Sequence, residues 1–358
     1  MDMVSEARVT PEAVRRARLD NSQMRERDLA AKLGISEGEF VAAFCGEGAT
    51  RIGADVNALL PELESLGEVM ALTRNESAVH EKVGVYDNVH AGNHAAMVLS
   101  GDIDLRIFPS KWVHGFAVEK PDGGQTRRSL QFFDASGDAV HKIHLRPASN
   151  LDAYSRLVDR FRSSDQTPRI GAVEQRIALE DGSARTTRDD ALRAELRSRW
   201  EGMTDVHQFF GILRALDLRR HEALGMIGSD LAWRIDSDAV GALLTRAAAD
   251  SLPIMCFVGN HGCIQIHSGP VANVKTMGPW INVMDPGFHL HLRLDHIANV
   301  WAVRKPNSDG HVTSVEAYDD NNRMIIQFFG QRAEGRRERD DWRELAERLP
   351  RIPSHTAA

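Results

Sequence analysis

The sequence predicts an α+β fold, a tandem structural repeat in which each half opens with helices and continues into a large antiparallel β-sheet. Three observations carry that reading. Short segments recur in the same order in the two halves, apolar residues alternate with polar ones at strand period, and tight-turn signals join successive strand-like runs. Helical segments are grouped apart from the strands, which suits α+β rather than an alternating parallel design.

Taken in order, the apolar helical pattern from Leu33 is matched from Leu216, and Arg51-Ile52 by Arg234-Ile235. Ile103, Leu105 and Ile107 alternate with Asp104, Arg106 and Phe108, the period of a half-buried strand. Leu105 and Ile107 fall on Leu290 and Leu292, in a run where Phe288, Leu290, Leu292 and Leu294 alternate with His289, His291 and Arg293. At the same spacing, Phe116-Ala-Val-Glu-Lys120-Pro121 falls on Trp301-Ala-Val-Arg-Lys305-Pro306, Ser129-Leu130 on Ser314-Val315, and Asp134 on Asp319. Gly92-Asn93-His94 falls on Gly259-Asn260-His261 only at a shorter spacing, which implies extra residues in the second half, in the Gly/Pro-rich stretch Gly269 to Pro286. Asp122-Gly123-Gly124 and Asn307-Ser308-Asp309-Gly310 are hairpin turns, so the strands they join run antiparallel. A helix over Leu151 to Phe161 closes the first half, and Ser163 to Arg169 (SSDQTPR) begins the link. The expected division is a first repeat over 1–162, a link over 163–185 and a second repeat over 186–358.

The 358 residues suffice for two domains, and 42% hydrophobic with 27% charged residues can bury a core. With 44 Lys and Arg against 51 Asp and Glu, the formal charge is −7, which argues against a nucleic-acid-coating protein. No run of about 18 apolar residues occurs, so no membrane span is expected. The start MDMVSEARVT lacks the apolar segment of a signal peptide, so the expected location is cytoplasmic. Cys45, Cys256 and Cys263 form no CxxC pair, which disfavours a thiolate zinc site or a disulfide scaffold. The chain holds 15 His against 3 Tyr, and imidazole is the commonest metal ligand.

The segment Met203-Thr-Asp-Val-His207-Gln-Phe-Phe-Gly-Ile-Leu-Arg214 draws the argument to chemistry. Asp205 with Gln208 three residues on is a capping-box arrangement that starts a helix. Val206, Phe209, Phe210 and Leu213 then form its buried stripe, with His207 beside it in the first turn. A helix N-terminus disfavours imidazolium, so His207 keeps a lone pair for a metal. Gly211 removes bulk where a flat ligand would lie. The residues alone favour an ordinary helix-start histidine, since a lone histidine is seldom a ligand. His289 and His291 share a strand face, but no carboxylate or third His stands at a metal-site spacing in sequence, and structural roles are expected. Met70, Met97, Met255 and Met324 read as core filler.

His207 in its TDVHQFF context, Asp102-Ile-Asp-Leu-Arg106, Val303-Arg-Lys305-Pro306, Gln327-Phe-Phe-Gly330 and the run Val258 to Pro270 (VGNHGCIQIHSGP) together resemble the bacterial hemin-degrading and haem-trafficking factors, the HemS type. The resemblance runs from about Thr10 to Leu349, duplication included. It implies haem b (iron protoporphyrin IX) as cofactor, in a cleft between sheet and helix, with His207 as axial ligand of the haem iron. Arg106 matches an arginine on the opposite porphyrin face, with a catalytic role if the haem is degraded. Arg220 and Lys305 match positions near the propionates, as cations at a pocket mouth. Gln327, Phe329 and Arg332 match the pocket wall, where a ring stacks on the macrocycle and polar tips reach its edge.

The resemblance leaves two activities open, a carrier that passes haem on and an enzyme that opens the ring to release iron. No flavin or nicotinamide fingerprint appears, so ring opening would draw electrons from a partner or an added reductant. The partners implied are haem, a haem ABC importer, a haem oxygenase and a reductase, for a monomer or homodimer. A storage chaperone is one alternative. The other, a DNA-binding regulator, rests on Asp28 to Ser36 followed by Glu37-Gly-Glu-Phe, which imitates a helix-turn-helix. Its second helix starts with Ser36, Glu37 and Glu39, which repel phosphate, so no nucleic-acid partner is expected.

Overall fold

A computed structural model describes residues 9–171, 190–332 and 336–352. Residues 172–185 of the expected link lie outside the described residues. The chain divides into two units, one holding residues 9–74, 81–171 and 260–265, the other 75–80, 190–259, 266–332 and 336–352. Each unit thus includes a short segment numbered within the opposite half.

The first unit opens with helices α1 (Pro11–Asp20), α2 (Glu26–Lys32) and α3 (Glu37–Ala42). Thr10 caps α1, its hydroxyl accepting from the Ala13 amide at 3.2 Å, with Pro11 in the first turn where a missing N–H does no harm. At α3, Ser36 Oγ accepts from the Glu39 amide (3.2 Å) and Glu39 Oε2 accepts from the Ser36 amide (2.8 Å), a reciprocal cap. The elements after these are β1 (Ala49–Ile52), α4 (Val56–Leu59), β2 (Val69–Arg74), β3 (Ala78–Gly84), β4 (Val89–His90), β5 (Ala96–Leu99), β6 (Asp104–Ile107), β7 (His114–Asp122), β8 (Gln125–Phe133), β9 (Ala139–Leu145) and α5 (Leu151–Phe161). Strands β1, β7, β8, β9 and β2 pair in that order, each antiparallel to the next. Strands β4, β5 and β6 form a second antiparallel set. Leu59, Leu63, Leu105, Phe132 and Ile143 lie in the main core.

The second unit repeats the plan with α6 (Asp190–Glu201), α7 (Gln208–Ala215), α8 (Arg220–Met226), β10 (Ala232–Ile235), α9 (Ala239–Ala249), β11 (Ile254–Gly259), β12 (Cys263–Gly269), β13 (Val274–Met277), β14 (Trp280–Asp285), β15 (Phe288–Arg293), β16 (Asn299–Asn307), β17 (Gly310–Tyr318), β18 (Met324–Gly330) and α10 (Asp340–Glu347). Strands β10, β16, β17, β18 and β11 pair antiparallel in that order, as do β13, β14 and β15. Residues of β3 and β12 are divided between the two units.

The duplication reaches the register. Phe116 faces Gln131 and Arg51 in the first unit, and Trp301 faces Glu316 and Arg234 in the second. Two-residue turns close both hairpins, Gly123-Gly124 and Ser308-Asp309. Gly123 and Gly124 both have positive φ, +55° and +88°, the geometry a hairpin turn demands.

One expected match fails. The counterpart of Asn260 is Asn75, not Asn93. Asn75 Oδ1 accepts from the Ser77 and Ala78 amides (both 2.9 Å), and Asn260 Oδ1 from those of Gly262 (2.9 Å) and Cys263 (3.0 Å). Gly92-Asn93-His94 lies instead between β4 and β5. The spacing is therefore constant from the Asn75 turn through the later strands, and the insertion expected between Gly269 and Pro286 does not exist. Both Asn side chains mimic a turn backbone, a role that one amino-acid match cannot locate.

Helices α2 and α3 do resemble a helix-turn-helix, with Gly34 at φ +69° between them. Glu37, however, is buried and ion-paired with Arg74 and with Lys142 (2.5 Å). Burial would raise its carboxyl, yet Lys142 and Arg74 hold it at about 2. The start of α3 faces its own sheet, not a phosphate backbone. No helix among the described residues is long and apolar enough to cross a membrane.

Candidate functional site

The second unit gathers all but one of the expected site residues. Asp205 opens a turn whose helix, α7, begins at Gln208, later than the capping-box reading expects. The cap works one turn early: Gln208 Oε1 accepts from the Thr204 (2.9 Å) and Asp205 (3.3 Å) amides. Asp205 Oδ1 accepts from both the backbone N–H (2.8 Å) and the ring Nδ1 (2.7 Å) of His207. Those two bonds, with the charges of His207 and Arg332, hold the Asp205 carboxyl below its ordinary range. A carboxylate has no proton to offer, so Nδ1 is the donor, and Nε2 is the ring nitrogen left to face a ligand. The His207 side chain is 85% exposed.

The later start of α7 moves its buried face. Phe209, Ile212 and Leu213 are buried at helical spacing, while Val206 is half-buried and Phe210 is 59% exposed. Phe210 is thus removed from the expected buried stripe and stands in solvent three residues after His207. A Cβ added at Gly211 would meet nothing within 4 Å, so its absence is not demanded by the protein's own packing.

Beneath α7 lies an ion cluster. Glu316, on β17, is fully buried. Arg220 Nε and Nη2 (2.7 and 2.6 Å), Lys305 Nζ (2.7 Å), Ser314 Oγ (2.7 Å) and Tyr318 OH (2.7 Å) all donate to its carboxylate. Burial would raise Glu316, yet Arg220 and Lys305 hold it well below the carboxylate range. Burial pushes Lys305 down to about 8 against the opposing pull of Glu316. Arg220 stays above its ordinary value despite burial because Glu316 and Tyr318 stabilise its charge. Two cations on one anion leave a net charge of about +1 in a dry setting. Both cations also lie over the Phe209 ring, Arg220 at 5.0 Å and Lys305 at 5.2 Å. Arg220 and Lys305 are therefore not surface cations at an open mouth: Lys305 is 3% exposed, and both are drawn inward by Glu316.

Gln327 is the cross-strand neighbour of Glu316 on β18, and its Nε2 is buried with no hydrogen-bond partner among the described residues. Phe329, on the same strand, packs edge-on against Phe257 at 5.0 Å and under Lys305 at 5.9 Å. Arg332 is half-buried just past the end of β18. In the first unit, Arg106 alternates away from buried Ile103, Leu105 and Ile107, as expected, and ion-pairs with Asp104 two residues back. Met70, Met97, Met255 and Met324, expected as core filler, are all half-buried, because they sit on the less covered face of their strands.

An uncommitted imidazole nitrogen, an exposed aromatic ring, a helix face stripped to backbone at Gly211 and an orphaned buried amide donor suit a flat, metal-bearing, anionic ligand. Sequence reasoning missed Asp205 as partner of His207, and missed Glu316 altogether. The signal for Glu316 was a lone acid in the strand run Val312 to Tyr318, where the first repeat carries Gln131.

Comparison with known proteins agrees with the duplicated fold. The model of the haemin-degrading HemS/ChuX domain matches twice, over residues 34–161 and 217–349. The hemin transport protein HmuS of Yersinia pestis is 40% identical over 324 residues, covering 90% of this chain and 92% of that protein. The crystal structure of holo-PhuS, a heme-binding protein from Pseudomonas aeruginosa, superposes with a TM-score of 0.90 at 44% identity, over 95% of this chain and 98% of that one. The heme degrading enzyme ChuS of Escherichia coli O157:H7 gives 0.84 at 36% identity, over 94% and 97%. The chain belongs to the haemin-degrading HemS/ChuX family.

Proposed function

We propose that this protein binds haem b in the cytoplasm and carries it within haem uptake, with His207 Nε2 as the axial ligand of the iron. The observation that carries the reading is the exposed His207 ring, whose Nδ1 is committed to Asp205, leaving Nε2 as the nitrogen that can reach iron. Phe210 and Phe329 offer faces to the macrocycle, and Gln327 Nε2 and Arg332 serve its polar edge. Arg220 and Lys305 supply the positive field for the propionates while remaining on Glu316. Arg106, from β6, would serve the haem as a hydrogen-bond donor, since guanidinium does not deprotonate to ligate iron. When bound, haem supplies an iron centre able to engage oxygen given external electrons.

Haemin titration tests the reading: wild-type protein takes up one haemin with a Soret band that His207→Ala shifts, and an unchanged band refutes it. Arg106→Ala keeps haem bound and alters the spectrum, whereas complete loss of binding makes Arg106 structural. Ring opening is the second reading, favoured by the likeness to the heme degrading enzyme ChuS. Haem-loaded protein with ascorbate and catalase separates the two, because cleavage that survives catalase belongs to an enzyme and cleavage that collapses is peroxide chemistry around a carrier. Its electron donor would be a reductase, and a haem oxygenase would be the carrier's acceptor.

A further inference from the structure

Resting on the assignment of His207 as iron ligand, we propose that Asp205 is the positioning residue of that ligand, fixing its tautomer and its aim and setting the electron density it gives to iron. One carboxylate oxygen, Oδ1, receives both the main-chain N–H of His207 (2.8 Å) and its ring Nδ1 (2.7 Å). The first bond ties the carboxylate to the backbone that carries the ring; the second fixes the ring against that carboxylate. Asp205 is itself held, since its carbonyl accepts from the Gln208 amide (3.1 Å) and its amide donates to Gln208 Oε1 (3.3 Å). The closed turn from Thr204 to Gln208 therefore presents Nε2 in one direction.

Such support is needed here because the ring is 85% exposed and has little packing to fix its rotamer. An anionic acceptor on the far nitrogen makes an imidazole a stronger donor to a metal than a neutral acceptor does. Electron-rich ligation favours ferric over ferrous iron and lowers the midpoint potential of the haem. The charge of Asp205, and not merely its ability to cap a turn, is the property at stake.

Asp205→Asn isolates that charge, because asparagine still accepts from the His207 amide and still caps the turn. The haem-loaded full chain is compared with Asp205→Asn, Asp205→Ala and His207→Ala by midpoint potential, ferrous iron–histidine stretching frequency and haem loss to an excess of apomyoglobin. Asp205→Asn is expected to keep the wild-type Soret position, raise the potential and lower the stretching frequency. Asp205→Ala, which also loses the aim, is expected to lose haem about tenfold faster. If His207→Ala leaves the Soret band unchanged, the ligand assignment itself falls. If His207→Ala changes it while both Asp205 variants keep the wild-type potential, stretch and loss rate, Asp205 is no more than a turn residue and the proposal is overturned.

Discussion

At Glu316, five donors from four side chains converge on one buried carboxylate, and Arg220 and Lys305 owe their placement to it. Removing the charge leaves two buried cations facing each other. Glu316→Gln is expected to lower the unfolding free energy by about 3 kcal/mol, read from urea denaturation. An unchanged midpoint would mean the pair relaxes into solvent. The candidate cations were legible by position, yet their environment was not. Arg220 and Lys305 read as cations at a pocket mouth because their anion is remote in sequence, and only the pairing of β16 with β17 brings Glu316 beside Lys305. Phe210 was misread for a different reason. Starting α7 at Gln208 instead of just after Asp205 rotates the helix by a fraction of a turn, enough to exchange a buried ring for an exposed one.

At the scale of elements, one scaffold carries opposite charges in its two copies. Where α3 begins with Glu37 held by Arg74 and Lys142, α8 begins with Arg220 held by Glu316. Where β8 carries Gln131 bonded to Ser129 (3.0 Å), β17 carries Glu316 bonded to Ser314. Each copy sets two cations on one buried acid, but the acid opens the helix in the first copy and lies on the sheet, beneath α7, in the second. Helix α10 docks through Trp342, fully buried against the backbone of β18. A Cβ at Gly330 would come within 2.5 Å of the Trp342 ring. Gly330→Ala is therefore expected to cost about 1–3 kcal/mol, with a red-shifted tryptophan emission as α10 loosens. Hairpins and strand registers were legible because a period of two and a two-residue turn leave little freedom. The Asn75 and Asn260 turns were not, since their equivalence lies in hydrogen bonds made by a side chain.

For the molecule as a whole, the core of the first unit adds a pH dependence. His141 is buried, with Nε2 2.6 Å from Tyr86 OH and Nδ1 2.8 Å from Thr73 Oγ1. Burial, with a smaller effect from His144, pushes its pKa down to about 3. The unfolded chain takes a proton below about 6.5 that the folded one refuses until about 3. Stability from this group is thus complete above pH 6.5 and falls on acidification by about 1.4 kcal/mol per pH unit in that window. Urea denaturation across that window is expected to show the slope, and His141→Gln to lessen it, while His144, which burial pushes down to about 4, keeps its own share. The family likeness was legible in the sequence because it spans the chain; whether haem is handed on or opened was not, because both fates use one pocket. In the proposed binding mode one protein imidazole ligates the haem iron. Pulsed EPR on the ferric haem-loaded protein, labelled with ¹⁵N-histidine, tests it most directly. Hyperfine coupling to a single imidazole nitrogen is expected, and it vanishes in His207→Ala. A coupling that persists undiminished in that variant would contradict that mode.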